Sequence, residues 1–366
     1  MTQGITTVHK LTIGIDLGDR YCHYCVLNKD GDVLEEGRLS TSPKAFQQRF
    51  GSTDPCRIAL EVGTHSPWVN QLLQEAGHEV LVANARKLRL IYQSDSKHDQ
   101  LDAQQLARVA RMDPRLLCPI EHRSKRCRVD LAVLRSRNGL VAARTRLINH
   151  VRGCLKSFGT RITKCSSRSF EKQALPHIPK ELRPALVPVL RIIQDLNLKI
   201  RAYDKRMLKI AQRDYPETEV LRQVNGVGPV TGLTFVLTLE DPRRFKNSRS
   251  VGAFLGLRPR KRQSGGSDPE LRITKAGDRN LRWLLVQAAQ YILGPFGTDS
   301  DLRNWGLALA ARGGKNAKKR ALVATARKLA VLLHRLWMTG EVYEPQRRSG
   351  LESRGQTDNK GSKACA

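Results

Sequence analysis

The amino-acid sequence predicts three structural regions and a tail: an α/β domain over residues 1–120, an α-helical coiled-coil middle over 121–215, a mainly α-helical C-terminal domain over 216–342, and a disordered tail over 343–366. Three observations predict this order. Up to residue 120, apolar strand-like runs punctuated by glycine, asparagine and proline alternate with helical patterns. Two long stretches beyond it carry regularly spaced apolar residues on a helical period. After residue 216, helical patterns are broken by glycine and interleaved with basic clusters.

The first strand organises the rest. Leu11 to Gly18, LTIGIDLG, is an apolar run with one carboxylate, Asp16, before a glycine break. Leu11, Ile13 and Ile15 read as a strand buried in a mixed sheet. A carboxylate near the end of such a strand is costly unless it is paired or holds a cation. Residues 21–27 read as a second strand, and NKDG at 28–31 turns the chain into a third, Val33 to Leu39. A helical segment near Ala45–Phe50 leads to a fourth strand, Ile58 to Val62, which contains Glu61. GTHSP opens an amphipathic helix with Trp68, Val69, Leu72 and Leu73, and Glu79 to Ala83 is the fifth strand. After the basic connector ARKLRL, the segment SKHDQLDAQQLARVA reads as a helix with Asp99 and Asp102 on one face. Three antiparallel strands followed by strand–helix alternation is the pattern of a ribonuclease-H-like fold.

Asp16, Glu61, Asp99 and Asp102, from two strands and a helix, would make a hard, all-oxygen site suited to Mg²⁺ or Mn²⁺. Each acid also has a plainer role. GIDLG could be a tight strand-to-turn corner with a solvated aspartate, and Asp99, three residues after Ser96, could help cap its helix. Together and in this order they favour the metal, much of that weight resting on the family resemblance of the whole motif series.

Residues 128–158 read as a long helix with Leu134, Val141, Ile148 and Leu155 seven apart. A second long helix repeats more regularly through Val189, Ile193, Leu196, Ile200, Tyr203, Met207 and Ile210, the seam of a coiled coil. A polar, proline-marked segment joins the two, so the pair is either an intramolecular hairpin or an oligomerisation arm. The regularity of the seam favours self-association.

Within Val220 to Leu239, LRQVNGVGPVTGLTF sets a glycine turn between two helical patterns. This reads as a helix-hairpin-helix in which Gly226 and Gly228 let backbone N–H groups approach a phosphate, with Arg243, Arg244, Lys246 and Arg249 close behind. A plain glycine-rich helix turn is the simpler alternative. Further on, Arg258, Arg260, Lys261 and Arg262 precede SGGS, and Arg272 and Lys275 follow it. Ser264 or Ser267 would be exposed to any phosphate these clusters bind, although the local sequence by itself favours a flexible linker. A long apolar helix begins near Arg279, and a basic-ended one runs from Lys315 to Trp337. Beyond Val342 the chain is polar, charged and rich in Gly and Ser.

The formal net charge is +30, from 64 Lys and Arg against 34 Asp and Glu. Residues 1–120 hold 14 basic and 14 acidic residues, which leaves 50 against 20 for residues 121–366 and places the whole excess there. A neutral region with clustered acids ahead of a strongly basic remainder suggests a metal-dependent centre delivered to a polyanion, nucleic acid above all. No apolar run is long enough to span a bilayer and MTQGITTVHK lacks a signal peptide's apolar segment, so a cytoplasmic protein with no membrane partner is expected. Cys22 and Cys25 form a C-x-x-C, but in a strand they face opposite ways and no second pair matches them; buried thiols are expected rather than zinc.

These residues line up with a known family. GIDLG, the Glu of IALEVG, K-x-D-x-x-D-A from Lys97 to Ala103, GVGPVTG, FLGLRPR followed by SGGS, and ITKAGDRNLR occur in this order. In them the chain resembles, from Leu11 to about Gly340, the DEDD transposases of bacterial insertion sequences, serine-containing recombinases guided by a bridge RNA. The resemblance implies a RuvC-like N-terminal domain whose Asp16, Glu61, Asp99 and Asp102 hold a divalent metal. It also implies a serine that attacks DNA, which matches Ser264, with Ser267 the weaker claimant, so it reverses the linker reading. Double-stranded donor and target DNA, a non-coding guide RNA and a dimer or tetramer of the chain are the implied partners. Asp16 and Ser264 lie far apart in sequence and are expected to come from different protomers. GTHSPWV, after Glu61, departs from many relatives at His65 and Pro67, so no role is assigned to His65.

Three other activities compete. Actin-like sugar kinases and chaperone ATPases share GIDLG but need a second glycine-rich nucleotide motif, which this sequence lacks. A RuvC-like metal-dependent DNA junction endonuclease would use the same acids with water as nucleophile and would not need the serine loop. A non-enzymatic DNA-binding protein leaves the four acids unexplained.

Overall fold

The computed structural model describes residues 10–84, 99–269 and 271–347; the ARKLRL connector, Ser96, Lys97 and the side chain of Asp99 lie outside that description. The chain divides between Arg123 and Ser124 into two compact units. No helix among the described residues is long and apolar enough to cross a membrane.

In the first unit, β1 (Thr12–Leu17), β2 (Tyr21–Leu27), β3 (Val33–Ser40), β4 (Arg57–Glu61) and β5 (Glu79–Ala83) form one sheet in the order β3-β2-β1-β4-β5. The β1–β2 and β2–β3 pairs are antiparallel, whereas β1–β4 and β4–β5 are parallel. This mixed topology is the ribonuclease-H-like pattern expected from the sequence. β1 sits at the centre with both faces covered, which is why TIGI reads as a continuous apolar run. β3 is a largely exposed edge carrying Glu35, Glu36 and Arg38, charges that discourage further strand pairing.

The two faces are packed differently. On one, α1 (Pro43–Phe50) and α2 (Ser66–Glu75) set Phe46, Phe50, Val69 and Leu73 against Ile13, Ile15, Tyr24, Ile58 and Leu60. On the other, α3 (Asp99–Met112) lays Ala103, Leu106, Ala107 and Ala110 against Cys25, Leu27, Ala59 and Ala83. The small residues on both sides let helix and sheet approach closely. At Gly14 a Cβ would overlap the Ala103 carbonyl oxygen, so this position has no room for any side chain.

Polar contacts fix the direction of α3. Arg57, at the start of β4, donates from Nη1 to the Ala110 carbonyl at 3.3 Å and from Nε to Glu79 Oε2 at 2.9 Å. Arg108 and Arg111 donate to the Gly31 and Lys29 carbonyls of the β2–β3 turn at 3.3 and 2.8 Å. The C-terminal end of α3 is thereby held at the edge where β1 and β4 begin. Its N-terminal turn extends toward the edge where they end.

In the second unit, α4 (Lys125–Ser157) and α6 (Arg183–Asp214) form an antiparallel pair, with the short α5 (Phe170–Ala174) in the connection. The regular seam is thus filled within the chain. This is the intramolecular arrangement of the two that the sequence leaves open. The seam is also not continuous. Ile193, Ile200, Met207 and Ile210 are buried as expected, but Leu196 and Tyr203 are only partly covered while Asn197 is buried and Asp204 half-buried. The reason lies on α4, where Arg137 and Arg144 face this stretch and call for polar partners.

Next follow α7 (Glu217–Arg222), α8 (Pro229–Leu239), α9 (Arg249–Phe254), α10 (Arg279–Leu293), α11 (Asp301–Ala311) and α12 (Ala317–Thr339). Every residue from Thr231 to Leu239 is buried, so α8 has no polar face. Leu233 and Leu237 pack with the α4–α6 pair, while Phe235, Val236 and Leu239 join Leu281, Leu285, Leu329 and Leu333 in the largest core. Residues 343–347, expected to belong to a disordered tail, are instead docked. The Tyr343 N–H donates to Gln223 Oε1 and the Asp301 N–H to the Pro345 carbonyl, each at 2.8 Å, and the Tyr343 ring packs on the core. The remainder of the expected tail lies outside the described residues.

Replacing Gly14 with alanine tests the close approach of α3. The new methyl must push helix and sheet apart, so Gly14→Ala is expected to lower the unfolding free energy by about 1–3 kcal/mol, read from the denaturant midpoint. An unchanged midpoint would show that the contact is not tight.

Candidate functional site

The parallel register pairs Ile15 with Leu60. One residue further along each strand stand Asp16 and Glu61, side by side where β1 and β4 end. Because side chains alternate, Asp16 shares its face with Gly14, and Glu61 with Ala59. That is the face α3 covers, and the direction of α3 brings its first turn, with Asp99 and Asp102, toward the same edge. Asp16, Glu61 and Asp102 are all half-buried. Among the described residues, no three His, Cys, Asp or Glu side chains are grouped closely enough to hold one metal ion.

The donors at this edge are carboxylate oxygens, which fit a hard divalent cation. The neighbouring thiols do not compete. Burial pushes Cys22 up to about 11, with Thr41 pulling against the shift through a hydrogen bond and the Asp16 carboxylate adding to it. Burial, followed by the Glu36 charge, does the same at Cys25. Both thiols are therefore protonated near neutral pH, and they lie on opposite faces of β2, as the sequence implied.

Two residues that sequence reasoning gave no role also lie at this edge. His23 stands directly across the antiparallel ladder from Asp16, a position only the strand register could reveal. His65, just beyond Glu61, accepts a hydrogen bond at Nδ1 from Trp68 Nε1 at 3.1 Å. An indole nitrogen only donates, so the imidazole hydrogen of neutral His65 sits on Nε2, which faces Asp19 Oδ1 at 3.4 Å. His65 thereby joins the loop after β1 to the loop after β4, immediately past the two strand carboxylates.

The serine loop is a hairpin rather than a linker. Arg260 N–H donates to the Arg272 carbonyl at 3.1 Å, and Thr274 N–H to the Arg258 carbonyl at 2.9 Å, so two arms run antiparallel. At the tip Ser264 and Ser267 exchange backbone hydrogen bonds at 3.2 and 3.1 Å across Gly265 and Gly266. Gly265, with φ 55°, takes the first central position of a two-residue turn, which favours glycine. Arg258, Arg260, Lys261, Arg262, Arg272, Lys275 and both serines are exposed, and a Cβ on Gly265 or Gly266 would meet nothing within 4 Å. The tip is a basic, unpacked projection.

Gly226 and Gly228 lie in the turn between α7 and α8. Gly228 caps α8 in an extended conformation and opens onto space, and the turn lines a cavity of about 440 Å³ together with Arg222, Thr231 and Gln287.

Ser264→Ala is expected to change the unfolding free energy by less than about 0.5 kcal/mol, since the Ser264 side chain is exposed. A thermal midpoint lowered well beyond that would mean that the hairpin is held by this side chain.

Residues 13–159 match a family model for DEDD transposases of the IS110 type, described as a transposase. Residues 218–297 match the model described as the transposase IS116/IS110/IS902 family. The first match takes in all four acids and runs on into α4; the second takes in the glycine turn and the serine hairpin. Among curated relatives, a probable family 20 transposase of Pseudomonas aeruginosa is 28% identical over 91% of this chain and 98% of its own length. The transposase for insertion sequence element IS1111A of Coxiella burnetii is 31% identical over 69% of this chain and 70% of its own. That for element IS1328 of Yersinia enterocolitica is 28% identical over 76% and 82%. A DEDD-type domain implies the use of a divalent metal ion. The chain belongs to the IS110/IS116 family of insertion-sequence transposases.

Proposed function

We propose that this transposase cleaves and rejoins double-stranded donor and target DNA through a serine nucleophile, Ser264, with Asp16, Glu61, Asp99 and Asp102 holding Mg²⁺ or Mn²⁺. A structured non-coding bridge RNA directs it to its sites, and it works as a homo-oligomer. The observation that carries the reading is the convergence of β1, β4 and the first turn of α3 on one sheet edge, three rigid elements that each bring a carboxylate. The exposed basic hairpin supports the serine. The basic excess beyond residue 120 supports a nucleic-acid partner, and the resemblance in motif order supports the RNA.

The chemistry assigned to the chain is an in-line exchange at phosphorus. The Ser264 Oγ–P bond forms as the P–O bond to one sugar breaks; the hydroxyl proton passes to a base and the departing sugar oxygen takes one up. Bond energy is kept in the phosphoserine ester, so the reverse attack by a sugar hydroxyl rejoins the strand. Arg258, Arg260, Lys261, Arg262, Arg272 and Lys275 grip flanking phosphates and offset the charge that builds on the attacked one. The turn at Gly226 and Gly228 holds a further phosphate through backbone N–H groups. A divalent ion held by the four acids would supply Lewis-acid stabilisation and help the hydroxyl ionise. Asp16 and Glu61, fixed on neighbouring strands, would hold it from two rigid positions before substrate arrives.

The test incubates the full chain with supercoiled donor and target DNA, Mg²⁺ and RNA transcribed from the DNA flanking its reading frame. Products are resolved under denaturing conditions for protein–DNA adducts. Wild-type protein should form them, and both Asp16→Asn and Ser264→Ala should abolish them while remaining folded. Adducts that persist in Ser264→Ala would remove that residue as nucleophile. Cleavage by the wild type without any adduct would replace the serine by water.

A further inference from the structure

The α4–α6 pair is apolar at both ends and polar in its middle. At one end Leu131 and Leu134 meet Met207 and Ile210; at the other Ile148 and Val151 meet Leu190 and Ile193. Between them stand Arg137 and Arg144, two turns apart on one stripe of α4. Arg137 Nε donates to Asp204 Oδ1 at 2.9 Å, and Arg144 Nη1 to Asn197 Oδ1 at 2.7 Å. Asn197, only 7% exposed, donates in turn to the Ser167 carbonyl at 3.3 Å, which draws the returning connection against the pair. Ser166, Ser167 and Arg168 thus share an open cavity of about 410 Å³ with Arg137, Arg144 and Asp204.

The charges there do not balance. Three guanidinium groups face one carboxylate, and that carboxylate is already engaged by Arg137. Arg144 Nε is buried and finds no hydrogen-bond partner among the described residues. Burial, then the charges of Arg137 and Arg168, hold its pKa below the ordinary arginine value. A polar layer of this kind adds little to the stability of a helix pair, where apolar side chains of similar volume do as well or better. An anion in the cavity would offset the surplus charge, and the planar guanidinium fork suits the oxygens of a phosphate.

We propose that this cavity is a phosphate seat, in which Arg144 and Arg168 grip one phosphodiester of the nucleic acid that the transposase handles, with the exposed Ser167 hydroxyl adding a hydrogen bond. The proposal rests on the reading above, that the chain works on nucleic acid, and adds a contact made by the helical pair rather than by the acids, the glycine turn or the serine hairpin. DNA and RNA backbones offer the same phosphodiester, so the experiment has one arm for each.

Binding of the full chain to a labelled DNA duplex and to a labelled RNA stem-loop is followed by fluorescence anisotropy over a salt series. Arg144→Gln and Arg168→Gln are compared with the wild type and with Arg161→Gln, an exposed charge on the same connection that does not line the cavity. Each seat variant should weaken binding about five- to tenfold and reduce the slope of log K against log salt by about 1, in at least one arm, while Arg161→Gln stays within about twofold. Arg168 is exposed, so its variant keeps the test valid even if Arg144→Gln folds poorly. A loss confined to one arm assigns the seat to that nucleic acid. Seat variants that weaken no more than Arg161→Gln in both arms overturn the seat and leave nucleic-acid binding by the chain intact. A wild type that binds neither probe overturns both.

Discussion

The first unit depends on one steric constraint, the contact of α3 with β1 at a residue that has no side chain. Gly14 lets the helix backbone rest on the central strand, and the alanines at 103, 107 and 110 keep the rest of the interface equally thin. Asp102 stands one residue from that contact on the helix, and Asp16 two residues from it on the strand. The positions of two acids are therefore tied to backbone packing rather than to the rotamers of long side chains. Arg57, Arg108 and Arg111 then fix which end of the helix meets which edge of the sheet, through hydrogen bonds to carbonyls.

Much of this arrangement was legible beforehand, for identifiable reasons. β1 and β4 are buried on both faces, so their apolar runs stand out, and the single acid near the end of each stands out against them. The spacing of Asp99 and Asp102 on a helix is likewise a local property. Register is not local. Nothing in YCHYCVL says that His23 pairs with Asp16, and nothing in GTHSPWV says that His65 links two loops through Trp68 and Asp19. The serine hairpin escaped local reading because its arms are charged and glycine-rich, the composition of a linker, and its pairing rests on a few backbone hydrogen bonds.

In the second unit the heptad pattern on α6 marks a packing seam, and the helix that fills it within the chain is α4. Leu134, Ile148 and Leu155 of α4 supply apolar contacts, whereas Arg137 and Arg144 interrupt them, and a pattern of apolar residues alone is blind to an arginine that turns inward. Asn197 and Asp204 are the matching polar positions on α6. The buried α8 carries the opposite lesson. PVTGLTFVLTL has no amphipathic period because it serves two cores at once, one with the helical pair and one with the C-terminal helices. Docking of residues 343–347 was hidden by a polar composition in which a single tyrosine does most of the packing.

The central claim is that carboxylates from β1, β4 and α3 act as one metal site. Isothermal titration of Mn²⁺ into the full chain without nucleic acid tests it most directly, comparing the wild type with Asp16→Asn, Glu61→Gln and Asp102→Asn and with Asp54→Asn, exposed at the opposite edge of the sheet, as a control. Losing even an outer partner of a metal ligand commonly costs ten- to a hundredfold in affinity, so each of the three ligand variants should weaken binding by more than about tenfold, and the control should match the wild type. Equal affinity in the wild type and in either strand variant would contradict the account.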